Sequence, residues 1–203
     1  MTDRRCAWAR NASESMTAYH DREWGRPSHD DTHLFEMLVL EGAQAGLSWA
    51  TVLNKRANYR ALLDGFDYTA VAAYDEEREK KLLAEPGIIR NRLKVASLAR
   101  NARAFLRVRE EYGTFADYLW SWTEGVPLVN HFTEPAEVPA STPLSDRVSK
   151  DLKKRGFSFV GTTIVYSYLQ STGVVDDHLV GCPAKPGAAD GATDGSPAAA
   201  TSG

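Results

Sequence analysis

Lys80-Lys81-Leu82-Leu83-Ala84-Glu85-Pro86-Gly87-Ile88-Ile89-Arg90-Asn91-Arg92-Leu93-Lys94-Val95 is the stretch that decides the fold. Leu82 and Leu83 close a short charged helix, and Pro86 with Gly87 interrupts it. Val95, Leu98, Ala99, Ala102, Phe105 and Leu106 then lay one apolar stripe along a long helix. The pattern predicts helix, tight turn, long helix over about 76–109. Upstream, Phe35, Leu38 and Val39 are spaced i, i+3, i+4, and Trp49, Val52 and Leu53 repeat that spacing after a break from Gly42 to Gly46. Downstream, Ser141-Thr142-Pro143 supplies cap residues and a first-turn proline before Leu144, Val148 and Leu152, and Ile164, Val165, Tyr168 and Leu169 mark a last helix. Strand-type alternation is scarce, so the fold class expected is all-α.

Residues 1–182 read as one folded unit with room for two lobes, since neither a fixed-period repeat nor a long linker divides them. From Pro183 to Gly203 there is no aromatic or large aliphatic residue to repay the entropy of ordering, which predicts a disordered tail. With 203 residues, 43% hydrophobic and 25% charged, the chain can bury a core without disulfides, and no apolar run is long enough for a bilayer. Met1 to Arg10 lacks the layout of a secretory leader, and a cytoplasmic location is expected. A net charge of −3 argues against coating nucleic acid by bulk charge and leaves a local basic face open.

Three constellations could carry chemistry. Cys6, His20, His178 and Cys182 are the thiol and imidazole types that suit tetrahedral zinc, and the four-residue step from His178 to Cys182 puts both on one side of a compact turn. The alternative is two ordinary buried thiols and two surface histidines. Glu41 follows a largely apolar run and precedes Gly42, Gly46 and Trp49; it serves a pocket, or it is a helix-end carboxylate paired with a cation. Trp8, Tyr19, Trp24 and Trp49 would wall a slot for a flat, cationic ligand, or they are core. At Pro86 to Arg92, a glycine-bearing turn opening a helix offers backbone N–H groups to a phosphate, with Arg90, Arg92 and Lys94 adding charge. A plain helix-to-helix turn with solvated arginines is the other reading.

These pieces, in this order, resemble the bacterial 3-methyladenine DNA glycosylase I family, a zinc-containing branch of the helix-hairpin-helix glycosylases. The resemblance runs from about Cys6 to about Pro183. It is carried by CAW, AYHDREWGRP, LFEMLVLEGAQAGLSWATVL, PGIIRNRLKV, STPLSDRVSKDLKKRGFSFVGTTI and DDHLVGCP. It implies a monofunctional hydrolase acting as a monomer on alkylated duplex DNA. Such an enzyme flips out N3-methyladenine, releases it and leaves an abasic site. Carried over by position, it implies structural zinc on Cys6, His20, His178 and Cys182, so that the metal joins the two ends of the unit. Glu41 becomes the acid that contacts the base, and Tyr19 and Trp49 the rings that stack on it, with Trp8 and Trp24 around them. Leu47, at the Gly46 bend, would probe the DNA stack, and the turn carrying Gly87, Ile88, Arg90 and Arg92 would grip phosphates. Two departures stand out. Met16 occupies the place of a pocket tyrosine, putting a flexible thioether in the wall, and one extra residue lies between Cys6 and His20. A glycosylase for bulkier adducts and a non-catalytic lesion-binding module are the alternatives.

Overall fold

The computed structural model describes residues 3–186, and among these the architecture is mostly helical. The order is α1 (Glu14–Arg22), α2 (Asp31–Gln44), α3 (Trp49–Leu53), α4 (Arg56–Leu62), α5 (Tyr68–Ala72), α6 (Glu76–Ala84), α7 (Arg92–Tyr112), α8 (Phe115–Ser121), α9 (Pro143–Lys154) and α10 (Thr162–Ser171). The expected helix-turn-helix is α6, a turn and α7, with the long helix running past the predicted end to Tyr112. Thr142 caps α9 as expected, its hydroxyl accepting the Ser145 amide at 3.1 Å with Pro143 in the first turn. None of these helices is long and apolar enough to cross a membrane.

The central helix is α2. Its residues Leu34 to Ala43 are all buried, packed against α7, α8 and α10. Such all-round burial places two carboxylates, Glu36 and Glu41, inside the protein, and their surroundings differ. Glu36 takes Arg56 at 3.0 Å and Arg60 at 2.7 Å, whereas no cation among the described residues lies within ion-pairing distance of Glu41.

Three expectations need correction. Gly42 is helical: α2 continues to Gln44, and Gly42 packs closely on Phe159, whose Cβ would lie 3.2 Å from a Cβ added there. The chain breaks later, at Ala45 to Ser48, where Gly46 turns at φ +76°. The fold is also not purely helical. Leu128–Val129 (β1) pairs in parallel with Val175–Asp176 (β2), and strands of two residues are too short to leave an alternating pattern. Finally, packing continues beyond 182: Ala184 is buried, and Lys185 Nζ donates to the carbonyls of Asn130 and His178 at 2.6 and 2.9 Å. The tail expected from 183 onward lies, from residue 187, outside the described residues.

Candidate active site and metal-ligand cluster

A cavity of about 630 Å³ opens between α1, α2, α3 and α10. Every pocket residue expected from the sequence lines it: Trp8, Met16, Tyr19, Trp24, Glu41 and Trp49. Tyr19 stands 5.1 Å from Trp49 and 6.3 Å from Trp8, centroid to centroid, both tilted near 50°. Trp24 meets Trp8 edge to face at 5.2 Å. The two sides of the slot are therefore π-faces, and Met16 closes it with an apolar thioether.

Glu41 is the acid of this slot. It is 4% exposed, and among the described residues its Oε2 has no hydrogen-bond partner. Burial pushes its carboxyl up to about 8, with the Ser171 hydroxyl pulling the other way. The nearby Tyr19 phenol is pushed well above its usual range by burial and by Glu41. The Trp49 Nε1 donor is likewise buried without a partner among the described residues. Buried polar groups normally find partners, so an unpaired acceptor and an unpaired donor in one aromatic slot are the chemistry of a site for a flat ligand with a polar edge. The acidity also changes the expected role of Glu41. Without a ligand near neutral pH it keeps its proton, so the anionic form is one that a cation in the slot would bring out.

Behind the slot lies the cysteine–histidine cluster. The ligand atoms of Cys6, His20 and Cys182 all lie within 4.8 Å of one another, buried, with Cys182 Sγ 3.6 Å from His20 Nε2. The closeness of the two thiols holds that of Cys6 up and that of Cys182 down, and burial raises both. Burial disfavours the charged form of His20, and hydrogen bonds to Cys182 and Asp21 overcome it. The structure brings together three of the four expected ligands at this distance, with His178 set beside them. His178 Nδ1 is bound to Asp176 Oδ1 at 2.6 Å, its Nε2 lies 3.5 Å from the His20 carbonyl, and the two imidazoles are 5.0 Å apart. His20 Nδ1 likewise meets Asp21 Oδ1, at 2.8 Å. Both rings thus use Nδ1 on a carboxylate and turn Nε2 inward, the arrangement that orients histidine toward a metal. Two thiols and two such imidazoles fit a tetrahedral soft-metal site. Gly25, at φ +72°, permits it, since a Cβ there would lie 2.8 Å from His178 Cε1. Trp24 touches His178 at 4.6 Å, so cluster and slot share a wall.

The expected DNA-facing residues are spread along one region. Leu47, 41% exposed, sits on the Gly46 bend between Gln44 and Ser48, which line the cavity. Arg90 is exposed on the turn before α7, and Arg92 is exposed as the first residue of α7. Ile88 is core, with almost the whole residue covered. Gly87 is required by close approach, because a Cβ would meet the Asn58 Cβ at 3.0 Å. Some of the turn's amides are already taken: Asn91 Oδ1 accepts those of Leu93 and Lys94, and Tyr59 Oη that of Ile89. Lys94, read as a phosphate-facing charge, is committed elsewhere, its amine donating to the carbonyls of Ala43 and Ala45 at 2.8 and 2.7 Å. It clamps the end of α2 to α7, fixing the bend that carries Leu47.

Several site residues escaped sequence reasoning: Gln170 and Asp177 in the cavity wall, and Asp21 and Asp176 behind the histidines. The acids next to the histidines, in HD at His20 and DDH at His178, were the available signal.

Comparison with known proteins agrees with this geometry. The sequence model of the family described as methyladenine glycosylase matches residues 8–185. The chain is 50% identical over 183 residues to the DNA-3-methyladenine glycosylase 1 of Escherichia coli (strain K12), covering 90% of this chain and 97% of that one. It is 42% identical over 181 residues to the DNA-3-methyladenine glycosylase of Haemophilus influenzae, covering 89% and 97%. Its fold matches a crystal structure of a variant 3-methyladenine DNA glycosylase I in complex with 3-methyladenine, with TM-score 0.87 at 33% identity over 92% of this chain and 98% of that one. With the match spanning nearly all of the packed unit, the chain belongs to the methyladenine glycosylase family.

Proposed function

We propose that this chain is a DNA-3-methyladenine glycosylase that extrudes N3-methyladenine from alkylated duplex DNA and hydrolyses its bond to the sugar. The observation that carries this reading is the unpaired, buried carboxyl of Glu41 facing an aromatic-walled slot. An adenine alkylated at N3 while joined to the sugar is a cation. Stacked rings attract it more than neutral adenine, and its charge favours the ionised form of a carboxyl that otherwise holds its proton to about pH 8. Glu41 then accepts from the exocyclic amine. A base inside a duplex is out of reach, so the nucleotide must leave the stack at a cost of a few kcal/mol. Leu47 fills the gap, while Gly46, Gly87 and Ile88 with Arg90 and Arg92 place backbone and charge against phosphates in a helix-hairpin-helix grip.

The chemistry is a balanced hydrolysis. A water oxygen forms a bond to the anomeric carbon as the bond to N9 breaks. Its electron pair neutralises the departing purine, and the water proton passes to solvent. No lysine lines the cavity among the described residues, in keeping with a monofunctional enzyme that makes no Schiff base. Zinc on Cys6, His20, His178 and Cys182 would be structural, clasping the two ends of the packed unit next to Trp8 and Trp24. The test is incubation of the protein with methylated duplex DNA and chromatography of the free purines. Release of 3-methyladenine with the strand intact until alkali is added is the expected result. Retention of methylated DNA with no free purine would support a lesion-binding module instead.

A further inference from the structure

The cavity wall holds a second buried carboxylate that the mechanism above leaves unused. Asp177 is 1% exposed, and its two oxygens accept hydrogen bonds from three donors. These are Asn130 Nδ2 at 2.6 Å, Gln170 Nε2 at 2.6 Å and the Tyr166 hydroxyl. Gln170 shares the cavity wall with Asp177 and Glu41, and its backbone carbonyl is tied to the Gly25 amide at 2.9 Å. A carboxylate only accepts, so the end of the Gln170 amide that meets Asp177 must be its NH₂. Asn130 holds the other carboxylate oxygen of Asp177, and the Tyr166 hydroxyl shares Oδ2 with Gln170. The amide oxygen Oε1 is therefore the end of Gln170 free for a ligand, and among the described residues no hydrogen bond reaches it.

We infer that Gln170, oriented by Asp177, is a specificity-determining residue that selects adenine-type over guanine-type alkylated bases. This rests on the glycosylase reading above. Methylated guanine is also flat and also cationic, so stacking and the charge of Glu41 attract both purines, and the bond that Glu41 accepts takes only one of the two amine protons adenine carries at position 6. The two differ at position 6, where adenine carries an amine donor and guanine a carbonyl acceptor. A fixed amide oxygen accepts from the first and opposes the second. A buried site built around one hydrogen bond rejects the analogue that cannot make it, because its own polar group is left unpaired. Gln170 would touch the base; Asp177 is a positioning residue, since it acts by forbidding the amide to turn round.

The test measures release of 3-methyladenine and of 3- and 7-methylguanine from one methylated duplex by the wild-type chain, Gln170→Met, Asp177→Asn and the double variant, each checked for a cooperative melt. Gln170→Met keeps the side chain's size and removes the acceptor, and should narrow the preference for 3-methyladenine roughly ten- to hundredfold. Asp177→Asn, which lets the Gln170 amide reverse, should narrow it in the same direction. The double variant should be no worse than Gln170→Met alone, a non-additivity that mere loss of structure would not produce. If Asp177→Asn does not fold, the Gln170→Met ratio decides. A folded Gln170→Met with the wild-type preference overturns the inference while leaving the glycosylase reading intact, and additive effects in the double variant overturn the role of Asp177. A wild-type chain that releases no purine overturns both.

Discussion

Glu36 and Glu41 sit five residues apart on one buried helix, and their partners decide what each can do. Glu36 is answered by Arg56 and Arg60 and is a structural anion. Glu41 has no counter-charge among the described residues, and burial pushes its carboxyl up to about 8. That has a consequence for stability. The unfolded chain ionises Glu41 near its ordinary value of 4.5, whereas the native protein holds the proton to about 8. Between these pH values the native state binds more protons, so stability contributed by this site is present at low pH and is lost as pH rises through that window. Glu41→Gln removes the dependence. Its melting temperature should gain on wild type between about pH 5 and pH 8, by roughly 5 °C, as measured by calorimetry at the two pH values. A constant gap between the two proteins would show that the carboxyl ionises normally. From the sequence, Glu41 stood out because an acid in an apolar run needs a reason. Its lack of a cation was not visible there, because Arg56 and Arg60 could have served either acid until the helix phase placed them beside Glu36.

At the scale of elements, helices were legible wherever an apolar stripe met a recognisable stop. The Pro86-Gly87 interruption, the Thr142-Pro143 start and the stripe from Val95 to Leu106 all correspond to real boundaries or faces. Gly42 misled because glycine has two uses. At Gly46 it supplies a left-handed turn; at Gly42 it makes room for Phe159 inside an unbroken helix, and only the packed neighbour tells the two apart. The β1–β2 pair was invisible for another reason, since its pairing joins residues 128–129 to 175–176 and has no local period. Lys94 shows the same limit for charge: a lysine at the start of α7 reads as a phosphate ligand until its amine is found between the Ala43 and Ala45 carbonyls. The consequence is mechanical, since the start of α7, which carries Arg92 just after the turn bearing Arg90, and the bend bearing Leu47 are held to each other by one side chain.

For the whole molecule, Cys6 and His20 come from the beginning of the chain and His178 and Cys182 from the end of the packed unit. Their meeting point holds the slot-lining rings of Trp8 and Trp24 against His20 and His178. Residue types alone suggested the four ligands, but spacing across most of the chain could not show that the ends meet. A metal there would act on the fold as a long-range cross-link. The chain purified without chelators should contain about one zinc per protein, and stripping it should lower the melting temperature by roughly 10 °C or more. Base binding should fall with the loss of Trp8 and Trp24 packing. An unchanged melt after stripping, read by calorimetry beside metal analysis, would remove the clasp from the account.

The claim on which the rest depends is that an anionic Glu41 selects a cationic purine. Its most direct test is kcat/KM for release of 3-methyladenine from methylated duplex, measured for wild type and Glu41→Gln between about pH 6 and pH 9. Because kcat/KM reports ionisations of the free enzyme, the wild-type value should climb toward the Glu41 midpoint of about 8 and then level. Glu41→Gln should be slower by roughly ten- to hundredfold and flat across the same range. A Glu41→Gln enzyme with near wild-type kcat/KM and the same pH profile would contradict it.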